Sequence, residues 1–482
     1  MRILGCLLSC LIIGCGSGAN GADAGGPDAR GADAGRDGQA PRPDGDPGRF
    51  DAAGWPDAGP TELPLQGSVS QFGITWTFSE PVPVGQFVNG DYYVVGPFTI
   101  TAIDPPPGGG RNGSVLNLPA DQNQTGFDDR TEAGRYDASL AASLPIDMVP
   151  GDKLVSSISV DTIGVLPRML RTEDASTSPV ETAAVLTCLE APVPVDAFRP
   201  SYGDPDTRIY LARDLRRDLL PSLPRVASTP DLAEWERIFE RPWIDNLFFG
   251  FDAPVLNMPG YGREVARGTS MASLMLMVDF TFEQKERLLV RFVQYGIDLW
   301  GLLRAGYPGW QAHGGHGNGR KWAIVLSGML LGDAEMSSPT RTFSSSRFSE
   351  DMQTIYGTGW TGATVVYGGH VGPDGEMVNP GWGPYEHLDP SAWLGDAIGE
   401  SYRRCCTSIA WIGSALAARL MDAQTDWNHD AFFDYADRWM TEDDSAAVDD
   451  ILRLTGHDYR ASWARQGQCW DAFVEEMWAA YR

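Results

Sequence analysis

Hydrophobic positions recur with two different periods along this chain. Between residues 66 and 165 the period is two. The stretch GITWTF (73–78) places Ile74, Trp76 and Phe78 on one side, the signature of a half-buried strand. DYYVVGPFTITAI (91–103) and GDKLVSSISV (151–160) continue with β-branched and aromatic residues. Asn89-Gly90 and DPPPGGGRNG (104–113) supply turn chemistry between them. From about residue 180 the period becomes helical. Thr281 and Gln284 form a capping box, Leu288, Leu289, Phe292, Val293, Ile297 and Trp300 follow at helical spacing, and Gly306 closes the segment. Asp298 falls opposite that stripe and is expected to face solvent. A second strong helix covers 400–421, with Tyr402, Cys405, Ile409, Gly413, Leu416 and Leu420 on its apolar line. Shorter helices are expected at 265–280, 320–332, 427–440, 444–455 and 470–481. The pattern predicts a mainly α chain with a smaller β domain: a β-sandwich over 63–170, then an (α/α) toroid of antiparallel helix pairs over 171–482. An irregular helical bundle is the alternative.

The first 62 residues follow neither period. Residues 1–15, MRILGCLLSCLIIGC, carry one Arg and an apolar run too short to span a bilayer, and read as a signal peptide. The run ends in Ile12-Ile13-Gly14-Cys15, which resembles the bacterial lipobox; the resemblance implies lipidation of Cys15 and a lipid-anchored, extracytoplasmic protein of the cell envelope. Residues 16–62 are mostly Gly, Ala, Asp and Pro. They cannot bury enough apolar surface to offset ordering entropy, so a flexible tether is expected. A net charge of −27 argues against nucleic acid as a partner, because phosphate binding needs a basic surface. An acidic polymer could still bind at a local cluster of Arg and His. A monomer is expected. Beyond the signal and its lipidated end, four cysteines remain: Cys188, Cys405, Cys406 and Cys469. They lack zinc-type spacing, so neither metal nor cofactor is expected. One bridge is conceivable, between Cys469 and a member of the 405/406 pair.

The densest chemistry lies in AHGGHGNGRKW (312–322), which holds two of the chain's six histidines. His313 and His316 offer bases, Asn318 a donor and Arg320 a planar fork for a carboxylate. The glycines let backbone approach a ligand, and the helix beginning near Arg320 adds free N–H groups. A turn whose histidines merely bind nearby carbonyls is the structural alternative. NMPGYGRE (257–264) is a second polar loop before a helix, offering Asn257, Tyr261 and Arg263. GESYRRCC places Tyr402 and Arg403 near a helix start. The aromatic loop 367–393 carries His370, Trp382, Tyr385 and His387, with faces suited to sugar C–H surfaces.

The segments YGIDLWGLLRAGYPGWQAHGGHGNGRKWAIVLSGMLLGD, ESYRRCCTSIAWIGSALAARL and WNHDAFFDYADRWM resemble parts of secreted bacterial proteins related to (α/α)-toroid polysaccharide lyases, the broad class of alginate, glucuronan and heparinoid lyases. The resemblance implies β-elimination in an acidic polysaccharide, with His or Tyr taking the proton, Tyr protonating the leaving oxygen, and Asn, Arg or His neutralising the carboxylate. The chemistry itself asks for the same parts. The proton beside a uronate carboxylate is weakly acidic, so donors must stabilise the developing charge and a base must titrate near the working pH. On this reading His313, His316, Tyr261 and Tyr402 are the catalytic candidates. Asn257, Arg263, Asn318, Arg320, Trp382, His387 and Arg403 are the substrate-binding ones. A glycoside hydrolase would instead need two carboxylates, for which Asp298, Asp351, Glu386 and Glu400 are available. A non-catalytic glycan-binding lipoprotein is the third reading. GTSMA around Ser270 resembles a subtilisin serine loop but lacks the accompanying Asp and His loops.

If Cys15 carries the lipid, Cys15→Ser releases the protein from membranes in a fractionation experiment; a fully membrane-bound variant contradicts the lipobox.

Overall fold

The computed structural model describes residues 60, 62–165, 177–247, 249–370, 384–393, 398–460 and 464–482. The signal, Cys15 and nearly all of the expected tether lie outside the described residues, as does Trp382. Eight strands form the N-terminal part: β1 (Leu65–Gln71), β2 (Ile74–Gln86), β3 (Tyr92–Val95), β4 (Phe98–Asp104), β5 (Ser114–Leu116), β6 (Ile146–Met148), β7 (Lys153–Ser159) and β8 (Val180–Leu189). They make one mixed sheet in the order β5-β7-β8-β3-β2-β4-β6, with β1 beside β2. Only the β3–β8 pairing is parallel among the strand pairs of this sheet.

The expected two-sheet sandwich is therefore corrected to a single sheet curled into a half-barrel. Its curl brings β7 over β2, which are not neighbours in the sheet: the Trp76 indole N–H donates to Ser156 Oγ at 2.9 Å. Trp76, Ile74 and Phe78 point into the trough, as their alternation requires, with Val84, Leu154 and Leu186. The opposite face of the same strands is also covered. Val155, Ala183 and Val185 belong to the main core shared with the helices. Burial on both faces makes β8 a nearly continuous apolar run without alternation, VETAAVLTCL. That is why a strand stands where a helical region is expected from residue 180.

The helical part begins with α1 (Leu232–Ile238), α2 (Gly262–Leu276), α3 (Phe282–Arg304) and α4 (Arg320–Leu331). The capping box at Thr281 and Gln284 is formed on both sides. Further on, the helix Ile398–Tyr402 passes through a π turn, Arg403–Thr407, into the helix Ser408–Leu420. The expected toroid is not what these helices make. In a ring of helix pairs each helix touches its ring neighbours and keeps an outer face. Here every residue of α2 except Arg263 and Arg267 is buried, and α2 packs against α1, α3, α4, Ser408–Leu420 and Ala472–Tyr481. A helix surrounded on all sides is the axis of an irregular assembly. Short helices of four or five residues, such as Ala334–Ser337 and Ser349–Gln353, replace regular pairs around it.

A buried ion triad joins the two parts. Arg199 donates from Nε to Asp91 Oδ2 at 2.6 Å, and from Nη1 and Nη2 to the two oxygens of Asp298 at 2.9 and 2.6 Å. Asp91 precedes β3, and Asp298 lies in the C-terminal third of α3. Asp298 is 2% exposed, so its expected solvent position is also corrected: the triad draws it toward the sheet. The cysteines pair differently from expectation as well. A disulfide joins the adjacent Cys405 and Cys406 in the π turn. Cys469 is free, its sulfur 3.6 Å from that of Met440.

Removing one member of a buried ion group strands the others. Arg199→Leu is expected to cost about 3–5 kcal/mol in urea unfolding followed by circular dichroism. A loss below about 1 kcal/mol, the scale of an exposed pair, would show that the triad does not join the sheet to α3.

Candidate active site

Three chain segments meet where the sequence concentrates its chemistry. The loop 311–319 connects α3 to α4, Tyr261 caps the N-terminus of α2, and Tyr402 opens the π turn. The contact between loop and α2 is so close that it requires glycine. A Cβ on Gly262 would lie 2.1 Å from the His316 carbonyl oxygen and 2.2 Å from that of Gly315. Gly319, at φ +93°, would drive a Cβ to within 2.3 Å of the Ala266 nitrogen. The glycines thus bring the loop against its own protein, where a close approach to a ligand is the expectation.

Side chains hold the loop from all sides. The Gly315 N–H donates to the Tyr261 hydroxyl at 3.0 Å. Asn318 donates to the Cys406 carbonyl at 3.1 Å and accepts from the Ser349 hydroxyl at 2.7 Å. Glu350 accepts the Gly319 N–H at 2.6 Å. Gln353 donates to the carbonyls of Gly314, at 3.0 Å, and Gly369, at 3.2 Å. That one amide brings the segment after the short strand Val365–Tyr367 beside the histidine loop.

The result is a cluster of aromatic rings. His316 stands edge-on to Tyr261 at a centroid distance of 4.5 Å and to Phe249 at 4.6 Å. His313 stacks on His370 at 5.5 Å, and His370 meets Tyr402 at 4.6 Å. Tyr261, His313, His316 and Tyr402 are half-buried, whereas His370 is fully buried. Burial lowers the pKa of all three histidines. It acts on His313 alone against its own backbone contact. For His316 the positive potential of His313, Arg320 and His370 adds to burial, and the shift is large. His370 is brought down to about 3 by burial and by His313. Burial raises the Tyr261 phenol, with Tyr402 adding to the rise. At neutral pH the cluster therefore consists of neutral imidazoles beside a protonated phenol, a set that can accept one proton and donate another.

Of the expected catalytic residues the structure brings together Tyr261, His313, His316 and Tyr402. The expected substrate binders disperse. Arg320 is buried and gives Nε and Nη2 to Asp245 at 2.8 and 2.9 Å, and Nη1 to the carbonyls of His316 and Asn318. It is a clamp on the loop and offers no fork to a substrate. Asn318 is spent on Cys406 and Ser349. Asn257 is buried and donates to the carbonyls of Ile238 and Arg241. Arg403 is buried among Tyr435, Glu400 and Gln466. His387 is exposed, on the segment whose Glu386 turns inward to Arg438. Arg263 alone keeps a partly exposed guanidinium at the cluster. The sequence reading missed Gln353, Phe249 and Asp245 as members of the site. The only available signal for a third imidazole was the glycine pair before His370.

The four carboxylates considered for a hydrolase are each bound to buried cations: Asp298 to Arg199, Asp351 to Lys321, Glu386 to Arg438, and Glu400 to Arg403 and Arg404. Among the described residues no group of three or more His, Cys, Asp or Glu is placed to hold a metal ion. No helix among them is long and apolar enough to cross a membrane. Comparisons with protein-family models, with curated proteins and with solved structures found no match.

The depressed histidines make stability depend on pH with a definite sign. The unfolded chain binds protons to His370 below its ordinary value of 6.5, while the folded chain resists until about 3. The contribution is whole above pH 6.5 and is lost progressively as pH falls from there toward 3. His370→Gln should flatten the acid limb by about one proton, roughly 1.4 kcal/mol per pH unit, in urea titrations between neutral pH and pH 4. An unchanged slope would mean that His370 titrates normally.

Proposed function

We propose that this protein is a carbohydrate-active enzyme that cleaves uronic-acid-containing polysaccharide by β-elimination, with the cluster around His316 as its active site. The observation that carries this reading is the pairing of a neutral, half-buried imidazole, His316, with a protonated phenol, Tyr261, at 4.5 Å between ring centroids. In the reaction His316 takes the proton from the carbon beside the uronate carboxyl. That electron pair forms the new carbon–carbon double bond, and the glycosidic carbon–oxygen bond on the neighbouring carbon breaks. Tyr261 gives its proton to the departing oxygen. The proton on His316 then returns to the phenolate, which restores both groups. His370 reaches no surface and acts as a positioning residue, holding His313 and Tyr402 beside the pair.

The reading favours elimination over hydrolysis because the four hydrolase carboxylates are each consumed in ion pairs with buried cations. Its proposed setting is the cell envelope, with the catalytic part tethered to a lipid at Cys15.

His316→Ala is expected to raise the barrier by about 2–4 kcal/mol, a rate loss of roughly thirty- to a thousand-fold, with circular dichroism unchanged. Initial rates on a panel of uronic-acid polymers, followed by the ultraviolet absorbance of the unsaturated product, provide the measurement. New reducing ends without absorbance would replace elimination by hydrolysis. A folded variant with near-native rates would remove His316 from the chemistry.

A further inference from the structure

The acid–base pair sits in the middle of a longer row. Phe251 and Phe249 lie 5.4 Å apart between ring centroids, and Phe249 is 4.6 Å from His316. On the other side of His316 comes Tyr261, then the Arg263 guanidinium 5.6 Å from the Tyr261 ring, then Trp470, whose ring centre is 4.2 Å from that guanidinium. All six residues are half-buried. Large rings that keep part of their area exposed suit the C–H faces of sugars, which are apolar over a polar rim.

The row has one cation in it, and that cation has donors to spare. Arg263 gives Nε and Nη2 to Glu264 Oε1, and Nη1 to the Cys405 carbonyl at 3.1 Å. Three of its five N–H donors are thereby engaged among the described residues, leaving one on each Nη. Arg320 and Arg403 are only 2% and 3% exposed, against 15% for Arg263. Between Tyr261 and Trp470 the guanidinium plane is fixed by two rings, by Glu264 and by a carbonyl. It meets an anion without first losing rotamer freedom.

We propose that this row is the binding track for an extended anionic glycan: Arg263 takes a carboxylate beside the acid–base pair, Trp470 supports the sugar on that flank, and Phe249 with Phe251 supports the chain on the other. The proposal rests on the reading of the site as a polyuronate lyase, whose substrate it makes a chain long enough to cover both flanks. A monosaccharide or disaccharide would fill only part of the row, so affinity must grow with chain length.

The test uses the full chain and defined oligouronates of increasing length, with calorimetric affinity measured beside turnover. The native protein should bind longer oligomers more tightly. Trp470→Ala and Phe251→Ala, on opposite flanks, should each lose at least tenfold in affinity for the longest oligomers and much less for the shortest. Their KM should rise in step, more than kcat falls. Trp470→Phe should recover most of the loss, which a merely structural role does not predict, and circular dichroism reports folding. If the native protein turns over polyuronates and both folded alanine variants keep affinities within twofold of native, the track is wrong and the lyase reading stands. If it binds oligouronates with a length dependence that the variants lose, yet cleaves none, the track stands and the lyase reading falls. Neither binding nor cleavage of any oligouronate overturns both.

Discussion

Arg199 sets the frame in which everything else is placed. Its guanidinium has no contact with water, so its charge must be met inside the protein, and it is met by two carboxylates from distant parts of the chain. Asp91 stands at the entry to β3, Asp298 in the C-terminal third of α3. A single planar cation therefore fixes the register between the sheet and the longest helix. Once α3 is fixed, so are the loop that leaves its C-terminus and α4 beyond. An apolar contact of the same size would allow sliding. A bidentate fork with three oxygens does not.

The same economy of buried charge explains the histidine loop. A loop pressed between helix ends has backbone groups that water cannot reach, and each needs a partner. Arg320, Glu350, Gln353 and Tyr261 supply them. Residues that resemble ligand donors in a linear sequence become the scaffolding of the loop. Among the described residues, what keeps partial exposure beside the loop is a small set of neutral rings and the Arg263 guanidinium. The low dielectric that holds the histidines neutral is produced by the packing that the glycines allow.

How much of this is legible in the sequence depends on whether the cause is local. The α3 capping box involves residues three apart, and both of its hydrogen bonds form. The alternation in β2 reports one buried face, and those residues are buried. The gathering of Tyr261 and Tyr402 with the histidine loop follows from polar residues at helix starts. By contrast, β8 is buried on both faces, so periodicity says nothing about it. The commitment of Arg320 depends on Asp245, seventy-five positions away, and that of Arg403 on Tyr435. The π turn that bends the helix through Cys405 and Cys406 leaves the apolar spacing nearly unchanged. The toroid expectation failed for a related reason: helix length and order are local, while the position of α2 at the axis is set by five packing partners.

The late position of β8 in the chain has a consequence for how the protein comes into being. β8 lies between β7 and β3 and joins two groups that do not otherwise pair in sequence: β5 with β7, and β3 with β2, β4 and β6. As the chain emerges from its N-terminus, both groups carry an open edge until residues 180–189 arrive. Unpaired edges of that kind invite pairing with other chains. Assembly of the sheet is thus a wait for its last strand, and during that wait the nascent chain is at its most vulnerable to association with its neighbours.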